Sequence, residues 1–93
     1  MNLYVSIEDT DELILGKVYP NPATATIFIE RGINNTKGIA IDILNLAGEI
    51  IHIDEMTSNQ NVKKIDVSNF DSGVYLVKLR SETDVFIEKI VIR

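Results

Sequence analysis

Cysteine is absent from the 93 residues. That excludes disulfides, a thiolate nucleophile and a cysteine-ligated zinc site. Tryptophan is absent as well, and the only histidine is His52. A catalytic zinc takes several protein ligands, commonly histidine, and a hydrolytic triad needs a base beside its nucleophile. One imidazole between Ile51 and Ile53 provides neither, and His52 reads as a partly exposed strand residue. No glycine-rich phosphate loop occurs, so no cofactor is expected, and we expect no enzyme. No run of about 18 apolar residues is present, so no segment reads as a membrane-spanning helix. Met1-Asn2-Leu3-Tyr4 lacks the basic and apolar regions of a signal peptide. The formal net charge is −5, and no basic patch exists to neutralise phosphates, which argues against nucleic acid as a partner.

What is present points to a sheet. Ile and Val number 15 and 8, against 4 Ala and 7 Leu. Branched side chains fit a pleated surface better than a helix. The length allows one domain, which buries roughly 60–65% of its unfolded surface. The charge is uneven. Residues 1–12 carry four acids and no base, while residues 13–93 carry 10 acids and 9 bases. An acidic leader therefore precedes a nearly neutral body.

Apolar residues recur with period two, the signature of half-buried strands. Leu3, Val5 and Ile7 alternate in the leader, and Leu13–Tyr19 is apolar apart from Gly16 and Lys17. Ala25, Ile27 and Ile29 share one face, as do Ile39, Ile41 and Ile43. Asn45-Leu46-Ala47-Gly48 predicts a tight hairpin, with Gly48 free to take positive φ. Its return strand spans Glu49–Asp54, with Ile51 and Ile53 on one side and Ile50 and His52 on the other. Ile65 and Val67, then Tyr75, Val77 and Leu79, then Phe86, Ile90 and Ile92 complete the set, with Phe70 plugging one end of the core. Leader aside, this makes seven strands with turn signals every 8–12 residues or so, an all-β antiparallel sandwich. A small closed barrel is the alternative. Asp42, Asp54 and Asp66 read as polar-face strand residues. Asp9-Thr10-Asp11-Glu12 lacks the glycine and distal glutamate of a calcium loop and reads as a solvated linker. Asn34-Asn35-Thr36 matches the glycosylation pattern and marks a surface loop.

The two prolines flank one residue, in Tyr19-Pro20-Asn21-Pro22-Ala23. Each fixes its own φ and restricts the residue before it, so the segment is stiff and suits a sheet edge. Three blocks follow in order. They are Ile41-Asp42-Ile43-Leu44-Asn45-Leu46-Ala47-Gly48-Glu49-Ile50-Ile51, then Ile65-Asp66-Val67-Ser68-Asn69-Phe70-Asp71-Ser72-Gly73-Val74-Tyr75-Leu76-Val77-Lys78-Leu79, then Glu88-Lys89-Ile90-Val91-Ile92-Arg93. Together they closely resemble the type A C-terminal sorting domain of the type IX (Por) secretion system, over about residues 17–93.

The resemblance implies a seven-stranded immunoglobulin-like sandwich with no catalytic residues. Such a domain directs an upstream cargo through an outer-membrane translocon, after the periplasm has been reached. A sortase-like peptidase then removes it, and the cargo ends secreted or at the cell surface. Tyr19, Pro20, Asn21, Pro22, Gly48, Asp66, Gly73, Tyr75, Lys89, Val91 and Arg93 carry the motif and are the candidate recognition residues. Residues 1–16 become the acidic tether, with the cleavage region near Asp9–Gly16, and 17–93 the signal. Met1 is then expected to be an added start on a fragment of a longer protein. Recognition is expected on the last two strands, whose final edge would accept an added strand. Leu3–Ile7 either ends a cargo domain or adds to this sheet. Two competing classes are a glycan- or protein-binding adhesion module and a spacer that self-associates weakly through an edge strand.

Overall fold

A computed structural model describes residues 15–32 and 37–93. Among these the chain forms seven strands: β1 (Gly16–Tyr19), β2 (Thr26–Arg31), β3 (Ile39–Asn45), β4 (Ile50–Met56), β5 (Val62–Asp66), β6 (Gly73–Arg80) and β7 (Val85–Ile92). They build two antiparallel sheets, ordered β1-β2-β5 and β4-β3-β6-β7. This is the all-β, seven-stranded sandwich that the alternation predicts. A closed barrel does not form: among the described residues the only backbone bridge between the two layers is the isolated parallel one, Ala23 to Ile92. Leu3–Ile7, Asp9–Glu12 and Asn34-Asn35-Thr36 lie outside the described residues.

The buried faces follow the period-two pattern. Ile27, Ile29 and Ile65 from one sheet meet Ile39, Ile41, Ile43, Val77, Leu79, Ile90 and Ile92 from the other. Each such aliphatic contributes about 1.5–3 kcal/mol when fully buried. Leu15, one residue ahead of β1, is buried with them. Gly16 follows because nothing larger fits. A Cβ there would lie 2.7 Å from the Glu30 carbonyl oxygen and 3.1 Å from Leu79 Cδ1.

Antiparallel registers sort the connections to two ends. The β1–β2, β3–β4 and β5–β6 loops and the finish of β7 share one end, since Asn45 pairs with Tyr75 and Tyr75 with Ile90. The other end holds the entry at Leu15 and the remaining loops. There the Arg31 guanidinium donates to the carbonyls of Gln60 (2.7 Å), Lys37 and Thr57.

The expected hairpin forms at Asn45–Gly48. Asn45 Oδ1 accepts from the Ala47 and Glu49 amides at 3.0 and 2.9 Å, and Gly48 adopts φ +86°. The return strand runs farther than the residue pattern indicates, to Met56. A register shift opposite Ile43/Leu44 leaves Ile50 and Ile51 both exposed, and Ile53 is 68% exposed. Bulges are common where a sheet edge bends. The inward positions of β4 are instead His52, Asp54 and Met56. Ala25, which alternation groups with Ile27, precedes β2 and is exposed.

These positions predict opposite outcomes for two isoleucines ten residues apart in the chain and on neighbouring strands. Ile43→Ala should destabilise by about 2–5 kcal/mol. Ile53→Thr should change stability by no more than about 0.5 kcal/mol. Urea midpoints of the two variants check this, and equal losses would contradict the assigned faces.

Candidate functional site

The proline segment is where the two sheets are tied. Pro20 and Pro22 have no N–H to offer, and both preceding peptide bonds are cis. The polar groups between and after them go to β7. Asn21 Oδ1 accepts from the Val91 amide at 2.9 Å, and Asn21 Nδ2 donates to the Lys89 carbonyl at 3.1 Å. The Ala23 amide then donates to the Val91 carbonyl, and the Arg93 amide donates to the Ala23 carbonyl, both at 2.8 Å. Side-chain amide and backbone together imitate a short strand running parallel to β7.

This corrects one expectation. Between Lys89 and Arg93 the outer backbone groups of β7 are already bonded by the Asn21 side chain and the Ala23 backbone, so no added strand fits there. What that corner offers outside is side chains: Lys89 and Arg93 are exposed, Val91 is half-buried, and Pro20, Asn21 and Pro22 are exposed beside them.

The remaining motif residues lie at the same end. Tyr19 is 39% exposed and stacks on Phe28 with ring centroids 5.6 Å apart. Desolvation and the neighbouring Glu30 carboxylate, which it also hydrogen-bonds, raise its phenol pKa. Gly73 opens β6 at φ +157° opposite Ile92. Tyr75 is buried, and its hydroxyl donates to the Asp71 carbonyl at 2.6 Å while its ring meets Phe70 at 5.4 Å. A tyrosine bonded to backbone a few residues upstream is a known brace of immunoglobulin-like sandwiches. Asp66 Oδ1 accepts from the Ser68 amide at 2.9 Å, shaping the turn after β5. Bonds from the Ser68 side chain and amide hold its carboxyl below the ordinary value. Gly48 sits in the β3–β4 hairpin at this end. Fold topology thus gathers at one end residues that span positions 19–93. Ala23 and Asp71, essential to that geometry, are missing from the motif set. Their contribution is through backbone atoms, which side-chain patterns do not report.

A polar cluster lies between the edge strands β4 and β5. Asp54 Oδ2 is 3.2 Å from His52 Nε2, and Asp54 Oδ1 is 3.1 Å from Lys63 Nζ. Asp54 is therefore a cross-sheet partner, not a polar-face residue as the alternation implies. Burial alone pushes its pKa up. The Glu55 amide, Lys63 and His52 outweigh that and hold the carboxyl below the usual range. Asp42, also expected on a solvated face, is buried and paired with Arg80, at 3.2 Å from Nη2 and 3.3 Å from Nε. Among the described residues no three His, Asp or Glu side chains are placed to hold a metal.

Two facing sheets of three and four antiparallel strands, with a braced tyrosine, define an immunoglobulin-like β-sandwich. The chain is similar to a solved DUF3244 family protein with an immunoglobulin-like β-sandwich fold from Bacteroides vulgatus ATCC 8482, with TM-score 0.70 and 13% identity over 87% of this chain and 86% of that one. No match is found among curated proteins. The family described as the secretion system C-terminal sorting domain matches residues 17–93. The chain belongs to that family, the sorting domains of type IX secretion. Its role is accordingly that of a sorting signal, a non-catalytic kind of domain. It implies an upstream cargo, the secretion machinery, and delivery to the outer membrane or cell surface.

Two predictions follow from the geometry. Asn21→Ala removes two hydrogen bonds at an exposed site and should cost about 1–3 kcal/mol in all. Amide exchange should quicken at Val91 and stay unchanged at Val77; equal rates at Val91 in both proteins would contradict the clamp. Asp54, with its lowered folded pKa, stabilises fully above its unfolded pKa, and that contribution is lost as pH falls through the folded value. Asp54→Asn should therefore flatten the acid limb of a stability–pH profile, measured by denaturant titration below neutral pH.

Proposed function

We propose that residues 17–93 are an address read in folded form by the type IX translocon, at the end of the sandwich where Pro20–Pro22 clamp β7. The tether to an upstream cargo, expected over residues 1–16, then stops ahead of Leu15, which is buried, and Gly16, which opens β1. The carrying observation is convergence: the candidate residues come from β1, β5, β6 and β7, from the β1–β2 and β3–β4 loops and from the residue after β7, yet the registers bring them to one end. Lys89 and Arg93 present charge there beside half-buried Val91 and exposed Pro20 and Pro22. Buried Tyr75 braces the surface from beneath, and Gly48, Asp66 and Gly73 shape the turns beside it.

Removal of the domain by a sortase-like peptidase needs an accessible peptide bond. Leu15 is buried and Gly16 pairs with Arg31. That favours cleavage ahead of Leu15, within Asp9–Ile14. The released cargo is then secreted or held at the surface of a bacterium with an outer membrane.

Truncating Glu88–Arg93 is a poor test, because it deletes the buried Ile90 and Ile92 and takes the fold with it. A cargo fusion carrying Lys89→Glu and Arg93→Glu tests recognition directly. Surface substitutions of this sort shift stability by only about 0.5 kcal/mol each, so the domain should stay folded by thermal melting. Its cargo should accumulate in the periplasm. Export at the wild-type level would overturn the assignment of the site.

A further inference from the structure

The outer face of the β4-β3-β6-β7 sheet points away from the sandwich core, yet it is largely apolar. The registers lay it out in rows. Ile53, Asp42, Lys78 and Ile87 form one row from β4 to β7. Glu55, Ala40, Arg80 and Val85 form a second, and Ile50, Leu44, Leu76 and Lys89 a third. Aliphatics stand at both margins: Ile50, Ile53, Val85 and Ile87 are each more than half exposed. Half-buried Leu44 and Leu76 join the margins across the middle. Apolar surface this extensive on one face marks an interaction site. The charges of the face are sorted by strand. Its acids, Asp42 and Glu55, are on β3 and β4, and its bases, Lys78, Arg80 and Lys89, are on β6 and β7.

We propose that this face is the contact between two copies of the chain, packed face to face about a two-fold axis that runs along the strands between β3 and β6. The charge sorting selects both the occupant and the axis. A two-fold interface must be self-complementary, and this axis lays the acidic half of one copy over the basic half of the other. An axis across the strands would lay acid over acid and base over base, which is costly. The chosen axis sets Ile53 over Ile87 of the second copy, Leu44 over Leu76, and Glu55 beside Arg80. The Arg80 side chain is 44% exposed while paired with Asp42, which leaves it donors for a second carboxylate. Four strands about 4.8 Å apart and about six residues of about 3.3 Å each give roughly 400 Å² in projection. Two such corrugated faces bury on the order of 1,000 Å², the low end of specific interfaces, so the dimer is reversible with a Kd in about the micromolar range. Lys89 stands at the margin of the contact, and Arg93 and Pro20–Pro22 stand outside it. This inference does not depend on the sorting reading.

Sedimentation equilibrium on residues 1–93, from about 1 to about 500 µM, tests it. The intact chain should be a reversible dimer. Ile53→Asp and Ile87→Asp, both at exposed positions, should each raise the dimer Kd at least about tenfold, while the dilute monomer still melts cooperatively. Glu55→Lys should weaken the dimer as well, most at low salt. Amide shifts on dilution, read by NMR, should be confined to β3, β4, β6 and β7. A chain that stays monomeric throughout would overturn the proposal. So would a Glu55→Lys dimer as tight as the intact one, or dilution shifts concentrated in β1, β2 and β5. A dimer that appears only when residues 1–12 are removed would overturn it too, making the leader the occupant of the face.

Discussion

Most of the surface that defines this domain depends on four hydrogen bonds between the Asn21–Ala23 segment and β7. A sandwich of two small sheets is held mainly by apolar contact, which fixes distance but does little to fix lateral alignment. The Asn21–Ala23 bonds are directional, and they link the strand that leaves the first sheet to the last strand of the second. They set where β7 ends relative to β1. They also decide which part of the edge is closed and which is open. Proline on both sides of Asn21 removes competing donors, so the asparagine amide serves both a carbonyl and an N–H of β7.

The same device explains why the final strand is an unsuitable hook by itself. Its inner side chains, Ile90 and Ile92, belong to the core, and its outer backbone is already bonded. In the proposed reading, recognition at that end uses side chains displayed on a closed edge, and the display exists only when the sheets are assembled. A signal built in this way is displayed only when the domain itself is folded. Two separate hydrogen bonds, Ser68 amide to Asp66 and Tyr75 hydroxyl to the Asp71 carbonyl, brace the loop that faces the same end.

Much of this was legible in the residues. Period two in Ile39–Ile43 and in Tyr75–Leu79 identifies strands and their inward faces, because central strands have both neighbours to enforce the register. The hairpin at Asn45–Gly48 is legible because a positive φ needs glycine and the preceding turn needs an asparagine oxygen. The failures are at edges. In β4 the isoleucines face solvent and His52 and Asp54 face inward, because an edge strand beside Lys63 can satisfy a carboxylate by an ion pair across the sheets. Alternation alone does not show which partner waits on the far side. Asp42 is buried on a nominally outer face for a similar reason: Arg80, two strand positions away by register, covers and neutralises it. The clamp itself was hidden because half of it is backbone, although the Pro-Asn-Pro spacing marks its location.

The central claim is that a folded corner, not a linear tail, is what the secretion machinery reads. Binding of the labelled domain to outer-membrane vesicles from a bacterium with type IX secretion measures this, with a synthetic peptide of residues 85–93 as competitor. The account predicts saturable binding that unlabelled folded domain displaces and the peptide does not. Displacement by the peptide at the same concentration as by the folded domain would contradict it.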